Sequence, residues 1–351
     1  MSLACIMTNA MPINRTSSIS DDTLEMITSP YLTVVLPVIY LLVFIISTPC
    51  NVISLWLLCF HTKCNNPMII FAINLSLTDL LYSIFLPFQI IYHLKGNDWP
   101  FGNVMCSVST AAFYGNMNCS ILTSCAISLE RYCGIVKPLR TKHWRTARKA
   151  SIVCILIWMF VLTLHIPILS HDLTFPVNQL NITTCFDILP KTLFPQKIFG
   201  YLYFGAVFLF FFFLPLIIFI ICYSSIIKTL ISSQDIDTKQ SKEKTLYLIV
   251  VLVLCFIACY LPNMFLQVLH MIYKYKGQSL YIYYKLTLGI NSLNCCFDPF
   301  VYYFASREFR GKLQQKLCCK FNGPEEQTTS NLSDQASAPL TSHKTANKTS
   351  L

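Results

Sequence analysis

The sequence predicts an all-α fold, a seven-transmembrane helix bundle with a short amphipathic eighth helix. Three observations predict it. The 351 residues are 54% hydrophobic and only 12% charged, where an ordinary soluble domain carries about a quarter charged residues. Seven stretches reach the roughly 20 mostly apolar residues that a bilayer-crossing helix needs. The Lys and Arg residues between those stretches fall mostly on one side, as membrane insertion favours. The net charge of +10 would suit nucleic acid if it covered one polar face. Here the basic residues sit between apolar runs, which excludes a nucleic-acid module or a soluble enzyme as first readings.

The stretches run near Leu32–Cys59, Pro67–Tyr92, Val104–Val136, Ser151–Leu169, Ile198–Ile227, Leu246–Ile272 and Leu280–Ala305. The third is interrupted by Asn116, Asn118, Glu130 and Arg131, and the seventh carries Lys285, Asn291, Asn294 and Asp298. Lipid offers these polar groups no partner, so they are expected to face the bundle interior. Residues 1–30 are polar, without an apolar signal core, and are expected to form an extracellular amino terminus. Residues 31–305 form the bundle, with the first span as an uncleaved insertion signal. Placing the amino terminus outside puts 18 basic residues in inner segments and 6 in outer ones, which fixes the orientation.

The remaining landmarks fit that topology. Sequons at Asn14 and Asn181 fall outside and are expected to be glycosylated, whereas the one at Asn118 lies within a span. Of 17 cysteines, Cys5, Cys106 and Cys185 fall outside. A disulfide between Cys106 and Cys185 would tie the second outer loop to the top of the third span in an oxidising compartment. Residues 306–320 read as an amphipathic membrane-surface helix ending in Cys318 and Cys319, a palmitoylation site. Residues 321–351, rich in Ser, Thr and Asn, read as a disordered cytoplasmic tail. No internal repeat is visible, which argues against a transporter built from duplicated halves.

Ionisable residues inside a span are costly and mark function. Asp79, Asn116, Ser120, Asn294 and Asp298 together offer oxygens for a sodium ion; the alternative is a hydrated hydrogen-bond network with one carboxyl protonated. No other cofactor is expected. At the inner end of the third span stands Glu130-Arg131-Tyr132. Here Glu130 is expected to pair with its neighbour Arg131, which can exchange that pair for a partner docking from inside. Pro215, Pro262 and Pro299 permit kinks in three spans. With Tyr223, Phe256, Tyr260 and Tyr302 around them, they suit a bundle with two packings.

Asn51, Asp79, Glu130-Arg131-Tyr132, Trp158, Pro215 with Tyr223, Phe256-x-x-Cys259-Tyr260-x-Pro262 and Asp298-Pro299-x-x-Tyr302 occur in order, one set per helix. With the Cys106–Cys185 pair, the chain over residues 30–320 resembles a class A (rhodopsin-like) G-protein-coupled receptor. Trp99-Pro100-Phe101-Gly102, the run from Ala112 to Met117 and the run from Asn181 to Asp187 are similar to its purinergic and protease-activated branch. The chain departs from the common pattern at Cys50, Glu130, Tyr260 and Asp298. Where nucleotide receptors of that branch carry a His and a basic residue beyond the sixth-span proline, it holds Met264 and Gln267, which turns the expectation away from a nucleotide agonist.

The resemblance implies a multi-pass plasma-membrane receptor, not an enzyme. An extracellular ligand would bind between the outer ends of helices three to seven, and an inner-open packing would take up a heterotrimeric G protein, in this branch one of the RhoA-activating class. Arrestin, receptor kinases and membrane lipid are the further partners implied; nucleic acid is not. Glu130, Arg131, Tyr132, Tyr223, Phe256, Tyr260, Pro262 and Tyr302 form the switch. Tyr92, Phe113, Tyr114, Tyr284 and Lys285 are the candidate ligand contacts, with Lys285 either pairing a ligand anion or snorkelling to water. Aromatics with a cation suit an anionic lipid-like molecule or lipid conjugate. His93 and His270, each at a helix end, read first as surface residues. Two alternatives stand beside this reading. One is a protease-activated receptor with a tethered ligand released at Arg15-Thr16, although Phe186 stands where those receptors have His. The other is an ion or proton transporter using Asp79 and Asp298.

Overall fold

The computed structural model describes residues 21–62, 66–188, 197–232, 250–251, 253–275 and 280–305. Among the described residues, six helices are long and apolar enough to cross a membrane: Tyr31–Phe60, Pro67–Leu94, Gly102–Val136, Ala147–Ile166, Ile198–Ser232 and Val253–His270. They are called here the first to sixth spans. The seventh is two shorter helices, Tyr281–Ser292 and Asn294–Ala305, joined at Leu293. The amphipathic helix expected at residues 306–320, Cys318, Cys319, the tail and Asn14 lie outside the described residues.

Each span has two faces of different chemistry. In the first, Leu36, Tyr40, Val43, Ser47, Asn51, Ser54 and Leu58 recur at helical spacing and are buried. Val38, Leu41, Leu42, Ile45, Ile46, Val52 and Ile53 on its other side are exposed. An apolar outer surface around a polar-studded interior is the arrangement lipid demands. The third span resolves its low hydropathy in the same terms. Every residue from Gly115 to Ile121 is buried, so this helix has no lipid-facing side there, and its polar groups meet neighbours on all sides. It packs against the second, fourth and fifth spans, and the seventh closes the ring onto the first. There Gly289 lies so close that an added Cβ would come within 2.9 Å of Leu36 Cδ2.

The prolines act through the backbone bonds they remove. Pro215 would clash with the carbonyl of Phe211 in a regular helix, and the helix widens into a π turn over Leu209–Phe213. Pro299 leaves the carbonyl of Cys295 without its usual donor. That oxygen instead accepts from Asn51 Nδ2 at 3.0 Å and Ser47 Oγ at 3.2 Å, both on the first span. The Asn51 motif and the Asp298-Pro299 motif are thus two halves of one joint. Pro49 and Pro87 also lie inside helices, beyond the three expected to kink.

Between the fourth and fifth spans a hairpin caps one end of the bundle. Strand β1 (Thr174–Val177) pairs antiparallel with β2 (Ile182–Cys185), Thr174 opposite Cys185. Asn181 stands at its turn with φ 52°, exposed. The hairpin is pinned at several points. Cys185 is disulfide-bonded to Cys106, four residues into the third span. Trp99 N donates to Thr183 O at 2.7 Å, and Asp98 Oδ1 accepts from Thr183 N at 2.9 Å.

One element departs from the expected polar amino terminus. Asp21–Thr28 is a helix that packs Met26 and Ile27 into the core, and Asn97 Nδ2 donates to the Ile27 carbonyl at 2.6 Å. His93 is covered beside it, 2% exposed and bonded to Asn97 Oδ1 at 2.6 Å. It is therefore a core residue and not the surface residue that its place at a helix end had implied.

Candidate functional site

Just beyond the disulfide the chain turns inward. Phe186 adopts φ 63°, a left-handed conformation that costs a non-glycine residue about 1 kcal/mol or more. That turn delivers Asp187 into the hairpin end of the bundle. Its carboxylate meets Lys285 Nζ at 2.5 Å, with side-chain exposures of 2% for Asp187 and 12% for Lys285. Tyr281 OH donates to Oδ1 at 2.6 Å, and Tyr92 OH donates to Oδ2. Burial pushes the Asp187 carboxyl upward. Lys285 and His93 beside it, with the bonds from Lys285 and Tyr281, outweigh that and hold it below the usual carboxylate range.

An aromatic shell surrounds this pair. Tyr114 OH and Tyr284 OH are 3.2 Å apart. Tyr114 packs edge-to-face on Phe186 and on Phe113, which in turn meets Tyr82. His270 stacks on Tyr284 and meets Tyr281. The five expected ligand contacts, Tyr92, Phe113, Tyr114, Tyr284 and Lys285, therefore gather in one region. Tyr283 stays outside it, exposed. Lys285 is held by Asp187, a partner which sequence reasoning had not singled out. The available signal was its position two residues after Cys185, which anchors it over the bundle.

A small cavity lined by Tyr82, Phe113, Asn116, Met117, Tyr260, Asn291, Ser292 and Asn294 lies one turn deeper along the third span. Two of the expected sodium ligands, Asn116 and Asn294, are in this lining. Asn116 Nδ2 donates to Asp79 Oδ1 at 2.8 Å, and Asn294 Nδ2 donates to Asp298 Oδ2 at 3.1 Å. Asp79 Oδ2 and Ser120 Oγ are buried without a hydrogen-bond partner. An orphaned carboxylate oxygen and a hydroxyl are donors that a small hard cation accepts, so the residues present fit such an ion.

At the opposite end the third-span triplet corrects one expectation. Glu130 Oε1 accepts from Arg145 Nε at 2.7 Å; its expected partner was Arg131. Arg145, brought back by the turn after the span, holds the carboxylate that Arg131 was expected to take. Arg145 arrives by a turn after Pro138–Thr141, where Thr141 Oγ1 donates to Cys133 O at 2.9 Å. It lies over Gly134, where a Cβ would come within 2.8 Å of its guanidinium. Arg131 Nε is buried without a partner. Tyr223 OH and Ser128 Oγ are 2.8 Å apart, and Phe219 links the Tyr223 ring to Phe256, which meets Tyr260. Tyr132 is half-buried, under Lys137. Pro262 stands in the first turn of the helix Leu261–Tyr275, directly after the break at Tyr260, and Tyr302 lies in the last helix.

A seven-helix membrane bundle with a disulfide-pinned hairpin over a buried charged cluster, and an arginine whose Nε is buried without a partner at its far end, has the layout of a transmembrane receptor. The sequence matches the family described as 7 transmembrane receptor (rhodopsin family) over residues 50–302, and the chain belongs to that family. It is a multi-pass membrane protein and a class A G-protein-coupled receptor, with the extracellular ligand and G-protein partner which that family implies; the family is one of receptors, not enzymes. It is 40% identical to the S-geranylgeranyl-glutathione receptor P2RY8 of Homo sapiens over 88% of this chain and 87% of the relative. It is 43% identical to purinoceptor 8 of Gallus gallus over 85% and 84%. It is 37% identical to Proteinase-activated receptor 1 of Mus musculus over 86% and 70%.

Proposed function

We propose that this receptor sits in the plasma membrane with the hairpin end outside and takes an anionic lipid-like molecule or lipid conjugate among helices three to seven. The single observation that carries the reading is the buried aromatic cluster around Asp187 and Lys285 at the disulfide-pinned end. It offers apolar surface and formal charge together, as an amphiphile requires. Similarity over most of the chain to a receptor named for S-geranylgeranyl-glutathione supports the same ligand class. Binding that favours a packing in which Arg131, Tyr223 and Tyr302 are accessible would shift the population toward G-protein uptake. The transducer proposed is the RhoA-activating class.

Secondary elements of the proposal follow. A sodium ion at Asp79, Asn116, Ser120, Asn294 and Asp298 would supply positive charge to a paired-carboxylate site and favour the inactive packing. Glycosylation at Asn14 and Asn181, palmitoylation at Cys318 and Cys319, and contacts with arrestin, receptor kinases and membrane lipid complete it. The test is a G-protein dissociation panel on cells expressing the chain, challenged with lysolipids, nucleotides and S-geranylgeranyl-glutathione. A response to nucleotides alone, or to proteolysis at Arg15 alone, would overturn the ligand class.

A further inference from the structure

The charge pair at the hairpin end constrains what can bind there. Lys285 is the cation that a ligand anion would seek, yet its charge is already neutralised by Asp187 at 2.5 Å, and both side chains are largely withdrawn from solvent. Asp187 also accepts from Tyr92 and Tyr281, so three donors converge on one carboxylate. A ligand bearing only negative charge would have to pull Lys285 away and leave Asp187 facing a second anion in a buried site. Separating a buried pair while leaving one member uncompensated is strongly unfavourable. A cation-only ligand meets the mirror problem at Lys285. A headgroup carrying both signs strands neither: its carboxylate takes Lys285 and its ammonium takes the place of Lys285 on Asp187, where the two tyrosine hydroxyls stay bonded.

From this geometry we infer that Asp187 and Lys285 act together as a specificity element for a zwitterionic headgroup, an ammonium and a carboxylate on one molecule, and that ligand entry splits the pair. This rests on the lipid-conjugate reading above and narrows it from a purely anionic head to one that presents an ammonium beside a carboxylate. The backbone supports the same role for Asp187. The strained turn at Phe186, next to the disulfide, holds the carboxylate inward. The site is therefore closed by a built-in counter-ion that a ligand must match in charge. Tyr114 and Tyr284, bonded to each other beside the pair, and Phe113 below them supply the apolar wall for the tail.

The experiment uses the full-length receptor in cells, read by G-protein dissociation and by displacement of a labelled conjugate. The probes are S-geranylgeranyl-glutathione, its N-acetyl derivative lacking the ammonium, its dimethyl ester lacking the carboxylates, and geranylgeranyl phosphate as a purely anionic head. The expected result is that blocking either charge weakens the conjugate by on the order of 10–100-fold, the range for losing a charged hydrogen bond. Asp187→Asn should invert the preference. With Lys285 freed, the N-acetyl derivative and geranylgeranyl phosphate should gain potency relative to the parent, a gain that a misfolded variant cannot produce. Lys285→Gln should remove discrimination against the ester. Equal potency of parent and N-acetyl derivative on the unmodified receptor would overturn the inference while leaving the lipid-conjugate reading standing. Silence toward all four probes would overturn both.

Discussion

Arg145 Nε donates to Glu130 Oε1 at 2.7 Å, while Arg131, adjacent to Glu130 in the chain, keeps its own Nε buried without a partner. The turn that follows the third span has thus taken away the acid that would otherwise quiet Arg131. Arg145 is about a third exposed, so the pair contributes on the order of 1 kcal/mol at most. Arg145→Ala should return Glu130 to Arg131 and lower agonist-stimulated coupling by up to about fivefold. Adding Glu130→Gln should restore it. A single variant with full coupling, or a double variant no better than the single, would contradict this.

Arg131→Ala should abolish G-protein activation while surface expression stays largely intact. A buried guanidinium Nε without a partner stabilises little in the resting bundle, so its removal is expected to act on docking. Cell-surface labelling beside a dissociation assay separates the two effects.

Cys106→Ser and Cys185→Ser should each free the hairpin from the third span. Losing such a bridge typically costs about 2–5 kcal/mol, and here it also unseats Asp187, two residues away. Ligand binding should fall in both variants by similar amounts. Unchanged binding in either would show that the hairpin is held by the Trp99 and Asp98 bonds alone.

Asp79→Asn should reduce the sodium sensitivity of agonist affinity. The orphaned Oδ2 of Asp79 and Oγ of Ser120 are the groups an ion would satisfy, and an amide supplies no charge to hold it. Agonist competition curves in sodium and in a large organic cation give the comparison. A sodium response equal to that of the unmodified receptor would rule out the site.

Acidity gives a further check on the hairpin end. The folded Asp187 carboxyl titrates below its unfolded value, so the stability it contributes is complete above the ordinary carboxylate range. It is lost only as pH falls through the lower, folded value. Lowering pH from 7.4 to 5 should therefore leave the Asp187–Lys285 pair intact. Thermal unfolding of the unmodified receptor and of Asp187→Asn should differ by the same amount at both values; a gap that narrows toward pH 5 would refute the assignment.

The bundle was legible because lipid imposes a one-dimensional rule on sequence: apolar runs of fixed length, with basic residues between them. The third span satisfied that rule weakly because Gly115 to Ile121 is buried on every side, which freed it to be polar. The disulfide was legible because few cysteines lie outside the spans. Pairings set by loops were not. Arg145 reaches Glu130, and Asp187 reaches Lys285, only because short turns carry each charge back into the bundle, and no spacing within a helix encodes that. His93 misled for a related reason: its cover comes from Asp21–Thr28, a segment whose sequence looks solvated. The partnership of Asn51 with the seventh helix shows the converse. Two motifs recognised separately became one mechanism once the oxygen freed by Pro299 was followed to its donors.

The helix at Asp21–Thr28 bears on how this receptor is handled. Ile27 fills a seat in the core and its carbonyl receives the Asn97 amide, so shortening the chain to residue 30, or splicing an epitope there, would open the roof above His93 and strand that amide. Purification handles and fluorescent fusions should therefore not interrupt Asp21–Thr28.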